Sequence, residues 1–189
     1  MTNLTRQALG ESLKELLCVR TLDRITIQDV TDGAKVSRKT FYYHFHDIYD
    51  LVEWMILEEC SALVEQWRAS GNLGHALAAA FEYAAENRTL MLHIFASMER
   101  VDIERMVRNV ITPSLELIFD EIAHGAPVAE EDRRLVIAVL GNGLAGVFYA
   151  WVGGGMLEEA DTLRDQIEYF FGDSVELMVR RCVERAENR

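Results

Sequence analysis

The sequence predicts an all-α protein of about nine helices, three short ones at the N-terminus and a larger helical body behind them. Three observations carry this. Apolar residues recur at spacings of three and four along most of the chain, and no stretch alternates as a strand would. Residues 26–51 form two short helical segments about a tight turn, the second dense in basic, hydroxyl and aromatic side chains. Half of the 189 residues are hydrophobic, enough to bury a sizeable core.

Leu9, Leu13, Leu16 and Leu17 give the first helix a buried stripe. Thr26 is placed to cap the second, with Asp29 in its first turn favouring the positive helix end. Ile27 and Val30 face inward, and Gly33-Ala34 stops the helix. Ser37 caps the third. Phe41 and Phe45 lie four apart, so they share a face and anchor that helix. Arg38, Lys39, Thr40, Tyr42, Tyr43 and His44 then point outward together.

Asp47 caps a fourth helix with an apolar stripe of Val52, Ile56, Cys60, Leu63 and Trp67, ending before Ser70-Gly71-Asn72. Leu77, Phe81, Ala84 and Ala85 mark a fifth, and Leu90, Met91, Ile94, Phe95 and Met98 a sixth. A seventh carries Ile103, Met106, Val107, Val110, Ile111, Leu117 and Ile118, with a kink expected at Pro113, and ends at His124-Gly125-Ala126-Pro127. The eighth spans about 130–152 and breaks at Gly153-Gly154-Gly155; the ninth spans about 159–184, with Leu163, Ile167, Phe170, Phe171, Met178 and Cys182 as its stripe. No repeat or low-complexity tract appears.

Charge divides the chain. Residues 1–46 hold seven basic and five acidic side chains, while the whole chain stands at −12. All three lysines (Lys14, Lys35 and Lys39) fall in the basic part. A helix rich in Arg, Lys, hydroxyls and Tyr on an otherwise acidic molecule has the chemistry to enter a DNA major groove. So small a positive balance gives weak non-specific affinity, so useful binding needs two copies. No leading signal segment and no apolar run long enough to span a bilayer is read. Cys18, Cys60 and Cys182 are odd in number and far apart, reading as reduced, packing thiols. Together these give the expectation of a cytoplasmic protein that does not engage a membrane.

The stretch from Ile25-Thr26 through Val36-Ser37-Arg38-Lys39-Thr40-Phe41-Tyr42-Tyr43-His44-Phe45 to Asp50-Leu51 resembles the DNA-binding region of the TetR family of transcriptional regulators. The resemblance covers roughly residues 5–52. It implies that Thr26, Ser37, Arg38, Lys39, Thr40, Tyr42, Tyr43 and His44 touch phosphates or bases of a palindromic double-stranded operator. Two positions depart from the pattern. Lys35 stands where Gly is usual, at a cost of about 1 kcal/mol if the backbone is left-handed there. Ile48 stands where a phosphate-binding Lys is common, and Lys35 is expected to replace part of that contact.

The same resemblance divides the chain into a helix-turn-helix DNA-binding domain, 1–46, and a ligand-binding and dimerisation domain, 47–189. It implies a homodimer formed through the last two helices, so that two recognition helices reach successive major grooves. It also implies a small-molecule effector, bound among helices four to eight. Candidate pocket residues are Trp54, Met55, Phe81, Met91, Phe95, Met98, Met106, Phe119, Phe148 and Trp151. Glu58, Glu59 and Glu82 nearby would favour a neutral or cationic ligand. Gly143 through Trp151, followed by a glycine break, is similar to one C-terminal branch that holds regulators of small-metabolite pathways and some activators. The expectation is a ligand-controlled regulator, a repressor in the first instance. The alternative is a co-regulator of the same fold acting mainly through a protein partner.

Catalytic and cofactor readings are weaker. Leu135 to Leu140 followed by Gly141-Asn-Gly-Leu-Ala-Gly146 imitates a strand entering a dinucleotide loop, but no second strand precedes Glu158 or Asp161. A helix whose small residues admit a close neighbour explains it better. Glu121 and His124 form a single E-x-x-H pair, whereas di-metal bundles need two. His44 and His46 have no third ligand, and Ser97, Ser114 and Ser174 lack a nucleophile elbow. No cofactor, metal or enzymatic activity is expected.

Overall fold

The computed structural model describes residues 2–70 and 81–188, and these are helical throughout apart from turns and short connections. The helices are α1 (Thr2–Leu17), α2 (Ile27–Gly33), α3 (Arg38–His44), α4 (Ile48–Ser70), α5 (81–86), α6 (Arg88–Phe95), α7 (Arg100–Ala123), α8 (Glu130–Gly153) and α9 (Ala160–Glu187), with a 3-10 turn at Leu22–Arg24. Leu77 lies outside the described residues, as do the side chains of Cys60, Leu63, Trp67 and Phe171.

Local chemistry sets the boundaries. Thr26 and Asp29 form a reciprocal capping box at the start of α2. Asp47 Oδ1 accepts from the amides of Tyr49 and Asp50, while Asp50 Oδ2 accepts from His46 N. Pro113 lies inside a continuous α7 on its exposed side, where water can serve the carbonyl left without a donor. α7 stops where His124 turns left-handed, with φ 50°.

One core begins at Leu9, Leu13 and Leu17 of α1, passes through Phe41, Phe45, Leu51 and Val52, and continues to Phe81, Met91 and Ile94. Trp151 and Val152 from the end of α8, with Leu163 and Ile167 of α9, close it. A second core joins Leu115, Ile118 and Phe119 of α7 to Ile137, Leu140 and Leu144 of α8 and Val175, Val179 and Cys182 of α9. Gly141 faces α7 within this core: a Cβ there would sit 3.6 Å from Leu115 Cδ1, an ordinary van der Waals contact.

Several stripes differ from expectation. Leu117 and Phe170 are exposed rather than buried, and Leu16, Phe95, Met98 and Met178 are half-buried. α9 instead turns Val175 and Val179 inward, where they pack against residues of α7 and α8 in the second core. Cys18 is exposed, so it is no packing thiol; burial and the nearby Asp132 raise the Cys182 thiol above its ordinary pKa. α8 is also long and apolar enough to cross a membrane by length and composition, contrary to the sequence reading. Its residues Ile137, Leu140 and Leu144 pack against α7 and α9 in the second core, which accounts for part of its apolar character.

Candidate nucleic-acid interface and internal cavity

α3 is held as a small lever. Phe41 and Phe45 are buried beneath it, with ring centroids 5.8 Å apart. Its opposite side stands clear: Tyr42 is 53% and Tyr43 79% exposed, and Arg38 and Lys39 are also exposed. Ser37 caps the helix, its Oγ accepting from Thr40 N at 3.1 Å and lying 2.9 Å from Thr40 Oγ1. Tyr43 packs edge-on against the half-buried His44, at 5.0 Å between centroids. Thr26 lies at the start of α2, also exposed.

The turn before α3 is tight for a definite reason. Ser12 Oγ donates to Val30 O at 2.9 Å, drawing α1 onto α2. A Cβ added at Gly33 would lie 2.2 Å from that Oγ, so only glycine fits without displacing the hydrogen bond. Gly33→Ala should therefore destabilise the fold by about 1–3 kcal/mol, an effect that urea denaturation would measure. Two residues on, Lys35 adopts φ 55° and its amide donates to Asp32 O. The left-handed backbone anticipated at this unusual lysine is present.

Charge pairing separates the basic residues into two groups. Lys14, Arg20 and Arg24 each meet a carboxylate, at Glu59, Asp29 and Asp23 respectively. Arg6 lies over the rings of Phe45 and Trp54, its guanidinium carbon 5.4 and 5.9 Å from their centroids. Among the described residues, Lys35, Arg38 and Lys39 make no such pairing. Among the described residues before α4, the cations without an internal partner are therefore the three that cluster on the turn and α3.

The capping box carries a pH signature. The Thr26 amide and hydroxyl, with Arg20 beyond them, hold the Asp29 carboxyl below its ordinary pKa. A depressed folded-state pKa means the stabilisation is complete above the unfolded value of about 3.9 and is lost as pH falls through the lower folded value. The Tm gap between wild type and Asp29→Ala should be full at neutral pH and close in strong acid. Melting curves across that range test it.

Polar and aromatic contacts tie the N-terminal helices to the body. Lys14 Nζ is 2.8 Å from Glu59 Oε1 of α4 and 5.3 Å from the Tyr83 ring. Partial burial works against its charge, but Glu59 and Tyr83 more than offset this and raise its pKa. Leu17 O accepts from His93 Nδ1 at 2.7 Å, and Ser97 Oγ donates to Asp23 at 3.1 Å. Trp54 wedges between α4 and α1, 5.6 Å from the Phe45 ring and so close to Gly10 that a Cβ there would lie 3.1 Å away.

Within the body lies a cavity of about 70 Å3. Of the candidate pocket residues, Phe81, Met91, Phe95, Met106 and Phe148 line it. Trp54, Met55, Met98, Phe119 and Trp151 do not. Trp54 is used at the α1–α4 joint, and Met55 is buried in the first core. Met98 lies past the end of α6, against the core from outside the cavity. Phe119 belongs to the second core. Trp151 meets Phe81 at a tilt and Phe148 edge-on, and its Nε1–H donates to Glu158 O at 2.9 Å. The wall also includes Ile56, Tyr83, Val107, Val110, Ile111 and Leu144, which the sequence reading did not select. Their signal was the spacing of Val107, Val110 and Ile111 from Met106, one face of one helix.

Comparisons with known proteins agree with this architecture. A family model described as a transcriptional regulator C-terminal region matches residues 71–173, more than half of the chain. The HTH-type dhaKLM operon transcriptional activator DhaS of Lactococcus lactis subsp. lactis (strain IL1403) is 23% identical over 92 residues, 49% of each chain. The chain thus spans about half the length of this curated relative in the match. Among solved structures, the dihydroxyacetone kinase operon activator DhaS superposes with TM-score 0.61 at 18% identity, covering 94% of this chain and 96% of that one. The TetR family repressor AlkX from Dietzia sp. strain DQ12-45-1b gives 0.58 at 16% identity, covering 94% and 97%. At such identities the superpositions establish a shared fold. With the family model matched over most of the body, and with regulators rather than enzymes as its neighbours, this chain belongs to the TetR family of transcriptional regulators.

Proposed function

We propose that the protein is a dimeric, ligand-controlled DNA-binding repressor, with residues 1–46 holding the operator and residues 47–189 binding the effector and the second protomer. The observation that carries the DNA reading is the cluster of Lys35, Arg38 and Lys39 without an internal partner, beside exposed Tyr42 and Tyr43, on the side of α3 away from its Phe anchors. Cations held out of internal ion pairs are available to phosphates, and Tyr side chains supply hydroxyls and ring faces to bases. Thr26, Ser37, Thr40 and His44 border the same surface and serve as positioning contacts. Ser37 and Thr40 already bond each other, so a phosphate oxygen would join that pair.

Exposed apolar groups support the dimer. Leu135, Val139 and Val147 of α8 and Tyr169, Phe170 and Leu177 of α9 are exposed, and a Cβ at Gly143 or Gly146 would meet nothing within 4 Å. This face suits a four-helix contact between copies. Effector control follows from placement: α4 supplies Ile56 to the cavity wall and Trp54 to the joint with α1. Movement of α4 would therefore change the separation of two recognition helices.

A binding selection on random duplex DNA tests the reading; it should recover a palindrome with half-sites about one helical turn apart. Absence of enrichment would favour a co-regulator acting through a protein partner. The sign is set by a reporter assay, in which loss of the protein should raise transcription from its operator. Lys35→Gly gives a further check. It should raise stability by up to about 1 kcal/mol by relieving the left-handed lysine, yet weaken operator binding and flatten its salt dependence by the loss of one phosphate contact.

A further inference from the structure

The cavity wall limits what it can hold. Ile56, Phe81, Met91, Phe95, Met106 and Phe148 represent its character, and among the described lining residues none carries a charge. Tyr83 provides the only hydroxyl on the described wall, and Lys14 approaches the ring of that residue at 5.3 Å. Glu58, Glu59 and Glu82, which the sequence suggested as partners for a cation, are not on the wall, and Glu59 is taken by Lys14. An ion brought into such a space loses hydration worth several kcal/mol and gains no counter-charge from the described wall. An uncharged hydrocarbon surface loses nothing comparable and gains dispersion contacts. Met91 and Met106 are flexible, so the wall can adjust to the outline of its occupant.

We propose that this cavity, widened from its resting 70 Å3 by movement of the flexible Met91 and Met106, takes a small, uncharged, apolar molecule. A ring of about six carbons, which needs about 150 Å3, is its upper limit, and carboxylates and amines of the same shape are rejected. The inference rests on the reading of the protein as ligand-controlled and names the chemistry of its effector. Three probes of matched outline separate the cases: toluene, benzoate and benzylamine. Binding to the full chain is measured by ligand-observed NMR and by thermal shift. Toluene should bind, with benzoate and benzylamine at least ten-fold weaker, and binding should be lost in Val110→Phe and in Ile56→Phe, which fill the cavity from different helices. Equal binding of either charged probe would overturn the proposal, as would failure of toluene to bind up to its solubility. Toluene binding that both filled variants retain, while folded by circular dichroism, would also overturn it. Operator affinity is then measured with and without saturating toluene. Binding without any effect on the operator would leave the chemical assignment standing and refute effector control instead.

Discussion

Replacing Lys39 and Tyr42 together with alanine should weaken operator binding at least about 30-fold while leaving helical content unchanged. The magnitude follows from about 1–3 kcal/mol for each lost contact, with 1.4 kcal/mol per factor of ten. Both side chains are exposed, so truncation opens no cavity, and the Phe41 and Phe45 anchors keep α3 in place. The two losses should separate in single variants. Lys39→Ala should weaken all sequences alike and reduce the salt slope by about one, whereas Tyr42→Ala should relax specificity at particular base pairs. Fluorescence anisotropy at several salt concentrations resolves the two. Unchanged affinity in the double variant would remove α3 from the interface.

Gly143→Trp should convert the protein to a monomer in sedimentation and abolish high-affinity operator binding with it. The structure makes this a clean test. A Cβ at Gly143 meets nothing within 4 Å in the protomer, so the indole projects into open space and the fold is left intact. The strain arises only against a second copy, where a close helix contact is overpacked by about 1–3 kcal/mol or more. Gly141 provides the contrast, because its Cβ position faces Leu115 within the second core. A Gly143→Trp protein that sediments as a dimer would move the interface elsewhere.

The N-terminal helices were legible in the sequence because their determinants are local. Thr26, Asp29, Ser37 and Asp47 act within three residues of themselves, and Phe41 and Phe45 share a face by spacing alone. Even the strained Lys35 could be read from its place in the turn. The body was legible as helices and less so as surfaces. Periodicity states which face of a helix is apolar, but not what that face meets. Trp54, Phe119 and Trp151 are apolar residues on apolar faces, yet one packs on Gly10, one in the second core and one behind the cavity wall. Phe170 and Leu117 show the complementary limit, since an apolar stripe does not say whether its partner lies within the same chain. The Ser12 contact that demands Gly33 joins residues 21 positions apart, and no pattern in the sequence announces it.

In the proposed complex, two copies of α3 read one operator together. This is tested most directly by comparing affinity for the selected palindrome with affinity for the same duplex in which one half-site is scrambled, with stoichiometry read in parallel. Two protomers per intact duplex are expected, with a loss of two orders of magnitude or more, roughly the several kcal/mol that separate specific from non-specific contacts. Equal affinity for the two duplexes, or one protomer on the intact palindrome, would contradict the account.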